Sequence, residues 1–416
     1  MTTYDVIVIG AGVAGLAAAR RLHDAGRTVL VCEARNRIGG RVWSDASDPN
    51  CAIELGAEYI HGDEVSTWQF VRQLGLATTI AGRWDGRRIW YNDTLHNALT
   101  LFAADASLPP LTTIEAQIAA YEGPDISFAQ WLDDNEYHGL ARHLADIRLA
   151  HSAATTPELA SIHAMQEDIL QGEHLGGNDH HIVGGYAPII KNLAQSLPIR
   201  LQSVVTAIRE AGDQCTVTFA DGVVLTAKRV IVTIPLALLK TGSVAFDPPL
   251  PTAKLHAIRQ IDMHGGIKIA LRFRERFWDD TASFFSLVDP APVWWTTSPD
   301  APYLMGFFTG PRAAHIGAVT DPIATCLDLL TAVFGDVVRE QLVGWRMINW
   351  SVDPWSLGAY SSVPVGAHGL RPALAAPHGR VHFAGEATAV DGHAASVHGA
   401  ISSGWRAVAE IEAAHD

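Results

Sequence analysis

The opening of the chain restricts its fold more than any other stretch. Tyr4-Asp5-Val6-Ile7-Val8-Ile9 is a nearly continuous apolar run, as expected of a parallel strand buried on both faces. Gly10-Ala11-Gly12-Val13-Ala14-Gly15 follows, then an Ala- and Leu-rich helix to Ala25, with Gly26 placed to stop it. Residues 28–32 read as a second strand ending at Glu33. Each glycine has a mechanical role: Gly10 permits the tight turn, Gly12 lets the backbone approach a pyrophosphate, and Gly15 lets helix and strand pack closely. The helix N-terminus offers N–H groups and a positive dipole end to phosphates, and Glu33 can accept hydrogen bonds from ribose hydroxyls. A lone G-x-G-x-x-G says little. Strand, glycines, helix, strand and acid in this order predict a dinucleotide site in an α/β fold.

At 416 residues the chain has room for two to three domains. With 48% apolar and 18% charged residues it can bury a large core. Its net charge of −14 argues against nucleic acid or an anionic membrane as partner. Cys32, Cys51, Cys215 and Cys326 form no CxxC pair, so no disulfide framework or structural zinc is expected, and a reducing cytoplasm is the simpler setting. No basic leader precedes Val6, no stretch has the ~18–20 apolar residues of a membrane span, and Ala414-His415-Asp416 carries no targeting tripeptide. The pairs His180-His181, His378/His382 and His393/His398 lack metal-ligand spacing, and no metal is expected.

Just past Glu33 and Ala34, Arg35-Asn36-Arg37-Ile38-Gly39-Gly40-Arg41 adds a glycine pair flanked by arginines. A bare backbone there can lie against a cofactor while Arg41 adds charge to the pyrophosphate. Together with Val42-Trp43 and Glu54-Leu55-Gly56-Ala57-Glu58-Tyr59-Ile60-His61-Gly62, this segment resembles the flavin-dependent amine oxidases, the family of monoamine oxidases, polyamine oxidases and lysine-specific histone demethylases. The resemblance covers nearly the whole chain, strongest at both ends and weakest across residues 82–175. It implies a glutathione-reductase-type Rossmann-like FAD domain with an inserted α+β substrate domain. The expected division is 1–80, 198–258 and 352–416 for FAD, and 81–197 and 259–351 for substrate.

From about Gly82 to Leu197 the composition suggests a helical insertion, broken at Leu108-Pro109-Pro110 and Gly176-Gly177-Asn178, with a last helix at 189–197. Residues 204–208, 216–219 and 223–226 read as an antiparallel meander and 229–235 as a separate buried strand. Residues 267–273 alternate with period two, so pattern alone puts Lys268 and Arg272 on a solvated face. The surrounding residues, however, resemble the place where the family keeps a lysine that holds a water against the flavin N5. The stretch 281–308 is aromatic, including Trp294-Trp295 and Phe307-Phe308; most of it reads as sheet core, with one or two residues left for a substrate channel.

Trp350-Ser351-Val352-Asp353-Pro354-Trp355-Ser356-Leu357-Gly358-Ala359-Tyr360-Ser361 is similar to the family's loop that sets an aromatic residue, here Tyr360, beside the flavin. Where the mitochondrial monoamine oxidases carry a flavin-linked cysteine this chain has Ala359, implying FAD held without a covalent bond. Residues 379–388, with Gly385 and Glu386, resemble the family's second flavin motif, and 395–404 opens the final helix. A helix N-terminus there would stabilise negative charge on the flavin. The resemblance thus implies cofactor contacts from Gly10, Gly12, Gly15, Glu33, Ala34, Arg35, Gly40, Arg41, Gly56, Ala57, Glu58, Val205, Gly385, Glu386, Ser396 and Val397. It implies substrate contacts from Tyr59, His61, Tyr360 and Ser396, and catalytic roles for Lys268, His61 and Tyr360.

The implied reaction is oxidation of a primary or secondary amine by O2 to an imine, then an aldehyde, with hydrogen peroxide formed. Glu58–His61 is most similar to polyamine oxidases, and Asp63 and Glu64 stand ready as partners for a distal ammonium. Ser396 replaces the tyrosine of the monoamine-oxidase form, leaving Tyr360 as one cage wall. A demethylase is disfavoured because no tail-reading module is appended within 416 residues. The alternatives are a monoamine oxidase, an L-amino-acid oxidase using Arg83, Arg87 or Arg88 for the carboxylate, and a non-catalytic signalling flavoprotein.

Overall fold

The computed structural model describes residues 3–47, 52–81, 86–174, 178–297 and 301–414; Cys51, Gly82, Arg83, Gly176, Gly177 and the last two residues, His415 and Asp416, lie outside them. The opening unit folds as expected: β1 (Thr3–Ile9), α1 (Val13–Asp24) and β2 (Val29–Cys32). β1 lies between β2 and the strand Val224–Val232, parallel to both. Val6 and Val8 pack with Leu16 and Ala17 of α1 and with Ile401 and Val408 of the final helix, Val397–Ala413. Ile7 and Ile9 face the other way, against Val217, Phe219, Val230 and Phe383. Both faces are covered, so the strand is apolar throughout, each such side chain contributing about 1.5–3 kcal/mol on burial. The final helix crosses α1 at backbone distance: a Cβ on Gly404 would lie 2.4 Å from the Ala14 carbonyl oxygen.

The expected meander is present, but its last strand does not end at residue 226. Val224–Val232 is one continuous strand that pairs antiparallel with Gln214–Phe219 over residues 224–227, then parallel with Val381–Phe383 over 230–232. Ala227 and Lys228 supply no turn chemistry, so nothing interrupts the extended backbone. Ile199–Arg200 extends the sheet beyond β2, and Val205–Ala211 and Ala245–Asp247 complete its eight strands.

A second sheet has seven strands, in the order Leu342–Asn349, Gly266–Phe273, Tyr303–Thr309, Val293–Trp295, Phe284–Ser286, Arg87–Tyr91, Thr94–Asn97. The insertion therefore opens with a hairpin rather than a helix. Asn92 and Asp93, at φ of 50° and 54°, make the turn, and Arg87–Tyr91 joins the sheet beside Phe284–Ser286. Helices follow as expected, among them Leu111–Ala119, Phe128–Asp134 and Ile162–His174. The strand Asp179–Ile182 pairs with Tyr59–His61, and the helix Ala187–Ala194 packs with α1. We propose that the two sheets mark the cofactor-binding and substrate-binding units.

Cys32, Cys215 and Cys326 are free and buried, and burial pushes each thiol up to about 12. Among the described residues no single helix is long and apolar enough to cross a membrane. One pair bent by 111°, Gly310–Ala318 with Pro322–Phe334, passes on length and composition together, and it seats Ala313, Ile316, Cys326, Leu327 and Leu330 in the core behind the second sheet.

Candidate active site

A cavity of about 1080 Å³ runs from the β1–α1 turn to the second sheet. Its first half is a cradle of backbone. Gly10, at φ +104°, makes the turn. A Cβ on Gly15 would lie 2.0 Å from the Gly10 carbonyl oxygen, whereas one on Gly12 would meet nothing within 4 Å. Gly15 thus serves packing, and the bare edge of Gly12 faces open space. Glu33 is buried at the end of β2, accepting from the amides of Ala11 (2.7 Å) and Arg35 (2.8 Å). Ala34, Arg35, Gly40 and Val205 line the same half. The Arg35 guanidinium pairs with Asp353 and donates to the Ser356 hydroxyl at 2.8 Å.

The two ends of the chain meet here. Arg41 Nη1 donates to Glu386 Oε1 (2.9 Å) and to the Ala359 carbonyl (2.7 Å). Burial pushes the Glu386 carboxyl upward, but Arg41, Ser361 and Arg371 outweigh it and hold it below the ordinary value. Glu386 also accepts from the Ser361 hydroxyl at 2.7 Å and the Ala395 amide at 3.1 Å. Gly385, Ser396 and Val397 line the cavity, so the N-termini of α1 and of Val397–Ala413 both open on it. The Ser396 hydroxyl is committed to the cap, accepting from Gly399 N (2.9 Å) and donating to the His393 carbonyl (2.6 Å). An open backbone edge, two helix N-termini and a buried acid fit a dinucleotide.

The second half begins at Gly56, Ala57 and Glu58. Lys268 is buried, not solvated: its Nζ lies 2.5 Å from Glu58 Oε2 and 3.1 Å from the Gly56 carbonyl. Arg272, on the same face of the strand, is exposed, its guanidinium 6.0 Å from the centroid of the Tyr303 ring. The strand alternation that sequence left open is resolved by this sheet. Trp294 and Phe308 point into the core with Ile267 and Ile269, while Trp295, Phe307, Phe284 and Val293 line the cavity. Tyr360 also lines it, its ring centroid 6.2 Å from that of Phe307 and its hydroxyl donating to the Ser152 carbonyl at 2.7 Å.

Tyr59 sits among Phe284, Trp295 and His181, with centroids 4.4–6.2 Å away. His61 is half exposed to the cavity and its Nδ1 lies 2.8 Å from Asp179 Oδ1. Three histidines absent from the expected site also line the cavity: His151, His393 and His398. Burial, then His61 and His393, pushes His398 down to about 3. No group of three potential metal ligands converges among the described residues.

The expected acid pair is not where a substrate could use it. Asp63 is held by His180 Nε2 at 2.6 Å and by Asn178, and neither Asp63 nor Glu64 lines the cavity. The acids that do face it come from segments distant in the chain: Glu115, Glu167, Asp168 and Asp179. Asp168 is enclosed by protein yet accessible, because the space it faces is the cavity. Burial raises it to about 6, against Arg371. Of the arginines, Arg87 lines the cavity and donates to the Ser286 hydroxyl at 2.7 Å. Arg88 turns away to pair with Asp279 at 2.5 Å.

Residues 13–412 match the family described as flavin containing amine oxidoreductase. The chain is 32% identical to lysine-specific histone demethylase 1B of Mus musculus over 98% of its own length and 53% of that protein. It is 31% identical to polyamine oxidase 4 of Oryza sativa subsp. japonica over 98% of its length and 88% of that protein. It thus spans about half the length of the Mus musculus demethylase and of lysine-specific histone demethylase 2 of Homo sapiens. A putrescine oxidase triple mutant (TM-score 0.85) and cyclohexylamine oxidase from Brevibacterium oxydans (TM-score 0.82), each 24% identical and covered over 99% of both chains, share the fold. The chain belongs to the flavin containing amine oxidoreductases, and its cofactor is FAD.

Proposed function

We propose that this protein is an amine oxidase that converts a primary or secondary amine, with polyamines preferred, to an imine and then an aldehyde, reducing O2 to hydrogen peroxide. The observation that carries this reading is the single cavity in which Lys268, His61 and Tyr360 meet the dinucleotide cradle. Bound FAD would supply the redox chemistry, accepting a hydride equivalent from the carbon next to nitrogen and passing electrons to oxygen.

The protein supplies position and field. Gly12, Glu33, Arg41, Glu386 and the N-terminus of Val397–Ala413 would hold the cofactor, with Ala359 leaving it free of a covalent bond. Tyr360, Phe307, Trp295 and Phe284 wall the reactive end, exclude water and orient the carbon chain. His61, steadied by Asp179, takes the amine's proton at Nε2 so that nitrogen is neutral when its α-carbon reacts. Lys268 offers an N–H to a water or dioxygen. Glu115, Glu167 and Asp168 give a second ammonium somewhere to bind, which supports polyamines over monoamines.

Arg87 favours a second reading, an L-amino-acid oxidase, because a cation at the cavity wall can bind a carboxylate. The demethylase relatives support a third, a methylated lysine side chain. Peroxide detection on the FAD-loaded protein with spermidine, acetylated spermidine, putrescine, benzylamine, a dimethyl-lysine peptide and L-amino acids separates these. We expect the polyamines to give the highest kcat/KM and free amino acids none; activity confined to amino acids or to the peptide would overturn the assignment. Three buried thiols support a reducing, cytoplasmic setting.

A further inference from the structure

Two opposite charges are buried together where the cradle meets the aromatic half. The side chains of Lys268 and Glu58 are 3% and 4% exposed, and Nζ lies 2.5 Å from Oε2. The other carboxylate oxygen accepts from Trp295 Nε1 at 3.0 Å, and His181 Nδ1 lies 3.6 Å from it. Glu58 is therefore gripped at both oxygens. Lys268 spends a second N–H on the Gly56 carbonyl at 3.1 Å, which leaves one of its three donors. The segment carrying Glu58 is pressed onto the cradle, since a Cβ on Gly56 would lie 1.8 Å from the Arg41 carbonyl oxygen. Arg41 in turn holds Glu386 and Ala359.

A buried ion pair is seldom needed for stability, because apolar residues of the same volume do as well or better. Its presence against the cradle points to function. A lone ammonium at this corner would repel an arriving amine cation and draw negative charge towards the cofactor. Glu58 sets a carboxylate directly against the Lys268 ammonium.

We infer that Glu58 is a positioning residue: its carboxylate cancels the charge of Lys268 and aims the remaining N–H into the cavity, so that a cationic amine can reach the reactive end. The inference rests on the amine-oxidase reading and adds to it a role for a residue beside the lysine.

Sulfite, a small anion that bleaches the visible absorbance of flavins, tests it on the FAD-loaded protein. Glu58→Gln, which leaves an unbalanced cation, should bind sulfite at least about tenfold tighter than wild type. Lys268→Met, which leaves an unbalanced carboxylate, should bind it at least about tenfold more weakly, and the double variant should return to within about threefold of wild type. Glu58→Gln should also raise the KM for amines more than it changes kcat. Equal sulfite affinity in wild type and Glu58→Gln overturns the inference, as does a double variant as perturbed as Glu58→Gln alone. Should Glu58→Gln fail to take up FAD, an unchanged sulfite affinity in Lys268→Met overturns it instead. The amine panel is read separately, so a wild-type protein inactive on every amine refutes the enzyme reading without touching the sulfite result.

Discussion

His61 and Asp179 stand directly opposite each other in the antiparallel pairing of Tyr59–His61 with Asp179–Ile182, and the imidazole Nδ1 lies 2.8 Å from the carboxylate. Nδ1–H donates to Asp179, which puts the lone pair of the neutral ring on Nε2. Cross-strand neighbours hold this geometry without a loop. Asp179→Asn should lower kcat/KM for amines about tenfold and move the acid limb of its pH profile downward, since the carboxylate no longer favours the imidazolium. His61→Ala should cost more than Asp179→Asn. An unmoved pH profile in Asp179→Asn would show the pair to be structural only.

Gly12 and Gly15 should separate cofactor binding from folding. Gly12→Val projects into open space, so the protein should fold with the melting temperature of FAD-stripped wild type and emerge colourless, because the side chain fills the pyrophosphate position. Gly15→Ala drives a methyl towards the Gly10 carbonyl and should destabilise the fold by about 1–3 kcal/mol. Visible absorbance and thermal unfolding, measured together on both variants, check this. Acid precipitation of the wild type should release FAD into the supernatant.

Lys268→Met should slow flavin reoxidation by more than about tenfold, roughly 1.4 kcal/mol of barrier, with reduction by amine affected less. Stopped-flow traces of the two half-reactions resolve the two effects; equal rates in variant and wild type for both would remove Lys268 from the reaction.

Asp168→Asn should erase the advantage of diamines over chain-matched monoamines. Its carboxyl faces the cavity, and loss of one unit charge there should cost diamines about tenfold in kcat/KM while monoamines stay near wild type. A diamine preference that survives would move the second-ammonium site to Glu115 or Glu167.

His151 should make stability fall in acid. Its Nε2–H donates to the Phe307 carbonyl at 2.9 Å, and burial, with Arg312, pushes it down to about 4. Between the ordinary value near 6.5 and about 4, the unfolded chain binds a proton that the fold refuses, so stability is lost as pH falls through that window. His151→Gln lacks this loss. Its stability deficit against wild type should therefore shrink by about 3 kcal/mol from pH 7 to pH 4, as chemical denaturation at several pH values will show.

The strand–glycine–helix unit was legible in sequence because its constraints are local: a doubly buried strand must be apolar, and the turn tolerates no side chain at Gly15. The strand 224–232 was misread as two, since its two halves have different partners and only pairing reveals them. The same limit applied to the acids. Asp63 and Glu64 lie two and three residues after His61 in the chain, yet the residue that meets His61 is Asp179, delivered by strand register.

The cradle, the alanine at residue 359, and the family positions of Lys268, His61 and Tyr360 could all be read along the chain. Each depends on residues adjacent in the chain or on a motif read whole. The burial of Lys268 against Glu58, the choice of Trp295 and Phe307 over Trp294 and Phe308 as cavity walls, and the exposure of Asp168 to the cavity follow from how distant segments pack. Alternation along a strand marks two faces without saying which one a distant segment will cover, and that covering is what turns a surface lysine into half of a buried pair.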